Sequence, residues 1–280
     1  MMFREPVQLN DLRNRFESIF AESKQSDLSD KYLYVPTFKL IEGLERQGFQ
    51  IVGAKQSRSR TVDAREHAKH VVYLSHPEIL DKAQMSVGEE RPMLALTNSH
   101  NGTSALAFDT AFFRLVCSNG LLMPSSAVNS ARVVHKIGMQ GEVIDAAYKV
   151  VASMPAQVAL VSSLKGIQLN QSEKMLLATS AARMAFEESE LELNRSVGNA
   201  IEDKLLHPRR HADVGDDLWK TFNVIQENII KGGLRVVREN EETKRRSIAK
   251  TRAVGSIDRD AKLNRELMAL ATGLAQLKTA

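Results

Sequence analysis

The sequence predicts an α+β protein: a curved, mostly antiparallel sheet with packed helices, followed by a largely helical C-terminal half. Three observations predict it. Between residues 33 and 117, short apolar runs alternate with turn residues, among them the hairpin signal Asn101-Gly102. Between about 140 and 206, the pattern changes to stretches rich in Ala, Met and Glu. Near the end, Leu263, Leu267, Leu270 and Leu274 recur at the spacing of a packed helix. The expected division is an α+β sheet core over 1–139 and a helical region over 140–280, as a second domain or as part of the first.

Taken in order, Leu9, Leu12, Phe16, Ile19 and Phe20 have helical spacing over 9–22. Thr37 is placed to cap a short helix that buries Phe38, Leu40, Ile41 and Leu44 and stops at Gly48. Residues 49–60 read as a strand whose distal half puts Gln56, Arg58 and Arg60 on one face. Strands follow over 69–75, 91–99 and 103–108, with 82–90 as a loop outside the sheet. Residues 112–117 extend the sheet or begin a new element. Helices are expected on one side of this sheet.

In the second half, residues 140–206 read as helical, with 143–154 and 158–164 rich in apolar residues. Residues 172–191 read as one long helix, which 194–206 could continue after a break. Residues 217–230 are amphipathic through Leu218, Phe222, Ile225, Ile229 and Ile230, and Gly232-Gly233 stops them. Trp219 and Phe222 read as core. Residues 239–252 are highly charged. Lys244, Arg245, Arg246, Lys250 and Arg252 are expected to pair there with Glu239, Glu241 and Glu242 along a helix.

Composition excludes several classes. With 280 residues, 43% hydrophobic and 26% charged, the chain is too apolar to be wholly disordered. Cys117 is its single cysteine, so it is no disulfide scaffold. No apolar run approaches the ~20 residues that span a bilayer, and the N-terminus lacks a signal core, so a cytoplasmic protein without membrane attachment is expected. Lys and Arg number 38 against 34 Asp and Glu, a net charge of +4. That excess is mild, so its distribution matters more than its size.

Sequence motifs for catalysis are absent. There is no phosphate-binding Gly-rich loop, dinucleotide fingerprint, His-Glu-x-x-His or paired-cysteine motif. No catalytic residue, metal or cofactor is therefore expected, and a non-enzymatic role is favoured. His207 and His211 stand four apart with Asp213 nearby, but Pro208 disfavours one helix through the pair. Cys117 lies in an apolar stretch and reads as packing rather than as a nucleophile.

A basic arm is the strongest binding signal. From residue 46 to 75, six cations (Arg46, Lys55, Arg58, Arg60, Arg65 and Lys69) face two anions, Asp63 and Glu66. Lys55, Arg58, Arg60 and Lys69 would present positive charge to phosphates. His67, His70 and Tyr73 could stack on bases. The competing reading is a solvated hairpin edge made basic against aggregation. Arg114, set in an apolar stretch, either meets an internal acid or reaches a groove. With Arg132 and Lys136 it completes the candidate nucleic-acid-binding set.

Two segments, Phe112–Leu121 with its Cys-Ser-Asn-Gly piece and Leu218–Gly233 with Asn-x-x-Gln-Glu-x-x-x-x-Gly-Gly, carry a family resemblance. In this order they resemble the phage- and plasmid-encoded family known as domain of unknown function nine-three-two, from about Tyr32 to the C-terminal helix. That resemblance implies a mobile-element setting rather than a reaction. Ser118-Asn119-Gly120 suits a turn with positive φ. Asn223, Gln226 and Glu227 share one helix face and can bond a neighbouring backbone or a nucleotide. The element order also resembles Rad-fifty-two-type annealing proteins, which implies oligomeric rings holding unpaired DNA. The function expected from all this is a mobile-element protein that binds single-stranded DNA, assists annealing or recombination, and forms homo-oligomers. The alternative is a protein-interaction module acting on a host factor.

Overall fold

Sequential pairing builds the N-terminal sheet. In a computed structural model that describes residues 2–29, 32–58, 61–79, 90–114, 120–123, 131–133 and 140–279, seven strands run antiparallel in chain order. They are β1 (Met2–Val7), β2 (Gln50–Gln56), β3 (His70–Ser75), β4 (Glu90–Asn98), β5 (Leu106–Arg114) and β6 (Gly120–Met123), with β7 (Ala131–Val133) also on β5. Every neighbouring pair is antiparallel, and a bulge between Ile51 and Gly53 shifts the β2–β3 register. The fold is α+β, and the sheet remains open.

The two-residue period of the strands sorts their side chains. Ile51, Val72, Leu74, Leu94, Leu96 and Phe108 point to one face, buried against helix α1 (Thr37–Arg46) and helix α3 (Gln140–Gly166). Val71, Tyr73, Met93 and Ala95 point to the other face, where Ile257 covers them. Helices on one side only were expected, yet both faces are covered. Ile257 opens α8 (Ile257–Thr279), far along the chain from the strands it packs on. The intervening short helix is α2 (Val62–Glu66), capped by the Thr61 hydroxyl, which accepts from the Ala64 amide.

Local expectations needed correction where packing overrode spacing. The helix expected over 9–22 is two 3₁₀ turns, Leu9–Leu12 and Glu17–Phe20. Its apolar residues are buried, but a regular helix does not carry them. Thr37 is the first helical residue rather than the cap. Its hydroxyl is instead buried in a polar cluster with His70 Nε2 (2.9 Å), His100 Nε2 (3.3 Å) and Asn98 Nδ2 (2.9 Å). The two apolar-rich stretches before residue 166 lie on one helix, α3, which runs through Pro155. A helix-interior proline costs about 3 kcal/mol, but Val151, Met154, Val158 and Val161 are all buried around it.

The chain divides into two compact units, Met1–Val158 with Ser256–Ala261, and Ala159–Gly255 with Lys262–Ala280. In the second unit the long helix expected over 172–191 is broken. α4 (Gln171–Ala185) starts with a capping box between Asn170 and Glu173, and α5 (Glu188–Ser196) follows after Phe186 and Glu187. Next come α6 (Ile201–Leu205) and α7 (Leu218–Lys231), capped by the Asp217 carboxylate on the Lys220 amide at 2.8 Å. Trp219 and Phe222 are buried and stacked, ring centres 5.3 Å apart. The charged segment after α7 is a two-stranded antiparallel ribbon, β8 (Arg235–Glu239) with β9 (Arg246–Lys250), rather than a helix. Among the described residues no helix is long and apolar enough to cross a membrane.

Candidate nucleic-acid interface

The seven cations picked from the sequence do not come together as one described surface. β2 ends at Gln56, so Arg58 is exposed past the strand end rather than aligned on it. Gln56 is tied inward: its Oε1 accepts from the Ser18 amide at 3.2 Å, and its Nε2 donates to the Arg65 carbonyl at 2.9 Å. Arg60 and Lys136 lie outside the described residues. Arg114 closes β5, opposite Glu90 in backbone register, and Arg132 lies in β7 opposite Ala107. Cys117 and the Ser118-Asn119 turn also lie outside the described residues.

Lys55 and Lys69 do meet on one face, the one that Val71 and Tyr73 share. There each donates to a carboxylate from the first turn of α8. Lys69 Nζ is 2.6 Å from Asp258 Oδ1, and Lys55 Nζ bonds Asp260 Oδ2. Burial raises the Tyr73 pKa well above the ordinary phenol value, and the buried Asp260 adds to the rise. Lys69 itself is buried. These two charges are thus offset within the fold. The partners lie 205 and 189 residues away in sequence, beyond the reach of any local charge reading.

The α7 motif is likewise occupied internally. Glu227 accepts from Arg210 Nη2 at 2.8 Å and from Lys231 Nζ at 2.5 Å. Burial pulls its pKa upward, but the two cations outweigh burial and hold it below the usual carboxylate range. Asn228 Nδ2 donates to the carbonyls of Leu205 and His207, both at 3.0 Å, and its Oδ1 accepts from Arg209 Nε. Gln226 Nε2 donates to Asn264 Oδ1, and Asn223 Nδ2 to the Trp219 carbonyl. The motif therefore holds helices and loops in register. His207 and His211 join no metal-type cluster, since none of three or more ligating side chains occurs among the described residues.

The positive excess lies on the ribbon. Residues 235–252 hold seven cations and three carboxylates, which already equals the +4 of the whole chain. The remaining 262 residues hold 31 of each sign. Three ribbon cations are engaged by carboxylates: Arg238 by Glu190 at 3.0 Å, and Arg246 (3.1 Å) and Lys244 (3.9 Å) by Glu239. Arg235, Arg245, Lys250 and Arg252 are exposed, with no carboxylate within 4.0 Å among the described residues. Arg235 and Lys250 stand directly opposite each other. Like charges so placed repel and weaken a two-stranded pair.

Neighbouring elements anchor the ribbon. Asn194 of α5 is buried, and its side-chain amide replaces a strand on the open edge of β8. Its Oδ1 accepts from the Val237 amide at 2.8 Å, and its Nδ2 donates to the Val237 carbonyl at 2.9 Å. Lys204 Nζ donates to the Arg235 carbonyl at 2.9 Å. Val236 points inward and is fully buried. On the outer face the facing pairs run Arg235 with Lys250, Val237 with Ile248, and Glu239 with Arg246. Sequence reading missed this site because the charge run was assigned to a helix. The available signal was Val236-Val237 and Ile248 flanked by alternating polar residues after Gly232-Gly233.

Comparison with known proteins gives the family. The family model described as "Domain of unknown function (DUF932)" matches residues 25–268. The chain is 35% identical over 269 residues to the UPF0380 protein YafZ of Escherichia coli (strain K12), covering 96% of this chain and 92% of that protein. It is 35% identical over 274 residues to the UPF0380 protein YfjQ of the same strain, covering 98% and 93%. No solved structure gives a significant match, and the likeness to Rad-fifty-two-type proteins finds no support in these comparisons. The two motif segments that carried the resemblance and the match over most of the length agree, and the chain belongs to the DUF932 family.

Proposed function

We propose that this protein binds single-stranded DNA through phosphate contacts from the β8–β9 ribbon, in support of annealing or recombination within a mobile element. The supporting observation is the placement of charge. The net +4 of the chain resides on the 18 positions of the ribbon and its flanks, whose seven cations are all exposed, and four of those cations have no carboxylate partner among the described residues. Phosphate binding there would relieve the repulsion between Arg235 and Lys250. It would also release counterions, the main driving force of non-specific nucleic-acid binding. Arg58 adds exposed charge in the first unit, whereas Lys55 and Lys69 are committed to Asp260 and Asp258.

The test is fluorescence anisotropy of a labelled oligonucleotide over a salt series, with duplex DNA and RNA in parallel. Four phosphate contacts predict a slope of about −3 in log affinity against log salt for a single strand. No detectable affinity at low salt rejects the proposal. A stable protein partner captured with no nucleic acid present would favour the interaction-module reading instead.

A further inference from the structure

The ribbon's outer face carries a feature that charge alone does not explain. Ile248 is 78% exposed at its centre, between Lys250 and Arg246 along β9 and opposite the half-buried Val237. The core does not use it, because the inward face is already filled by Val236. An apolar rung among cations matches a ligand that alternates negative charge with flat apolar surface. We propose that Ile248 is the base-contacting position of this interface, where an unpaired base of a single DNA strand rests on Ile248 and Val237 while Lys250, Arg235 and Arg252 hold the flanking phosphates. This rests on the proposed function above and deepens it.

Three physical points favour this occupant. Unstacked bases present their faces, whereas duplex DNA keeps them stacked and shows only base edges in its grooves. Side chains along one face of a strand are about 7 Å apart, so one extended strand lying along β9 meets Lys250, Ile248 and Arg246 in succession, with exposed Arg252 two residues past the strand end. A second copy of this chain is a poor occupant, because an isologous contact through this patch would press like charges together. The ribbon (RVVRE and RSIAK) has no aromatic ring. The contact is therefore aliphatic, and it carries little sequence preference.

The experiment uses the full chain with two substitutions and two probes. Ile248→Ser removes an exposed side chain, and Lys250→Gln removes one charge. The probes are a labelled thymidine oligonucleotide and inorganic polyphosphate, a polyanion without bases. Ile248→Ser is expected to weaken oligonucleotide binding by about fivefold with the salt slope unchanged, and to leave polyphosphate binding as it was. Lys250→Gln is expected to weaken both and reduce the salt slope by about 0.7. Equal oligonucleotide affinity for Ile248→Ser and the natural chain overturns the base contact while leaving phosphate binding intact. Equal loss on both probes overturns it as well, as does tighter binding of duplex than of single strands. A change in particle mass on Ile248→Ser with unchanged DNA affinity assigns the patch to self-association and also overturns it. No binding of any oligonucleotide removes the proposed function itself.

Discussion

Acidification is expected to destabilise this protein through His70. The ring is fully buried, with Nδ1–H donating to the Ala68 carbonyl at 3.0 Å, which leaves Nε2 to accept from the Thr37 hydroxyl at 2.9 Å. Burial lowers its pKa from 6.5 to about 4, partly opposed by the Ala68 hydrogen bond. The folded-state value lies below the unfolded one, so the unfolded chain takes up the proton first as pH falls. The stability that depends on a neutral His70 is therefore complete above pH 6.5 and is lost progressively towards pH 4. With one pKa unit worth 1.36 kcal/mol, the loss reaches about 3 kcal/mol near pH 4. Urea unfolding of the natural chain and of His70→Gln, at a series of pH values, isolates this contribution from carboxylate titration. The substituted chain starts less stable, and the gap should close by about 3 kcal/mol as pH falls. Parallel stability profiles would refute the reasoning, and so would a His70 imidazole signal that titrates near 6.5.

Other substitutions test the remaining packing arguments. Glu227→Ala removes the buried carboxylate that Arg210 and Lys231 share and should cost about 1–3 kcal/mol in chemical unfolding, with Glu227→Gln costing less. Gly232 has φ 61° and ψ −149°, a conformation reserved for glycine, and a Cβ there would lie 2.6 Å from the Arg252 carbonyl carbon. Gly232→Ala should therefore cost about 2–3 kcal/mol in thermal melts. Gly233→Ala, whose Cβ meets nothing within 4 Å, should cost only its backbone strain, about 1 kcal/mol. Asp260→Asn should destabilise by about 1–3 kcal/mol, because its carboxylate is 8% exposed beside Lys55. Asp258→Asn should cost a comparable amount, because the Lys69 ammonium it faces is only 7% exposed, and a loss below about 1 kcal/mol in chemical unfolding would contradict the pairing argument.

The composition of the sheet was legible because alternation is a local property. Val71 to Leu74 and Met93 to Leu96 alternate between two buried faces, and Asn101-Gly102 marks the turn between β4 and β5, with Gly102 at φ 73°. α7 was legible from the Gly232-Gly233 stop at its end and from Leu218, Phe222, Ile225 and Ile229 before it, while the cap by Asp217 emerged only from the structure. Residues 9–22 were read as one helix from the spacing of their apolar residues, and that reading was wrong. Spacing identifies which side chains go inside, and short 3₁₀ turns can deliver the same ones. The ribbon was misassigned because its strands carry many charges, and what holds β8 is the amide of Asn194, some 43 residues away.

By itself the sequence determined the class of the protein, the alternation that makes its sheet, the glycines that end α7, and membership of its family through two short motifs. Only the tertiary structure decided which cations meet a carboxylate among the described residues. Lys55 and Lys69 looked like the core of a basic arm, yet Asp260 and Asp258 reach them from the far end of the chain. Charges 31 and 31 cancel over most of the molecule, while the ribbon keeps its excess. A formal charge is a property of a residue, but the field it projects depends on which opposite charge the fold brings within a few ångströms, and that pairing is non-local.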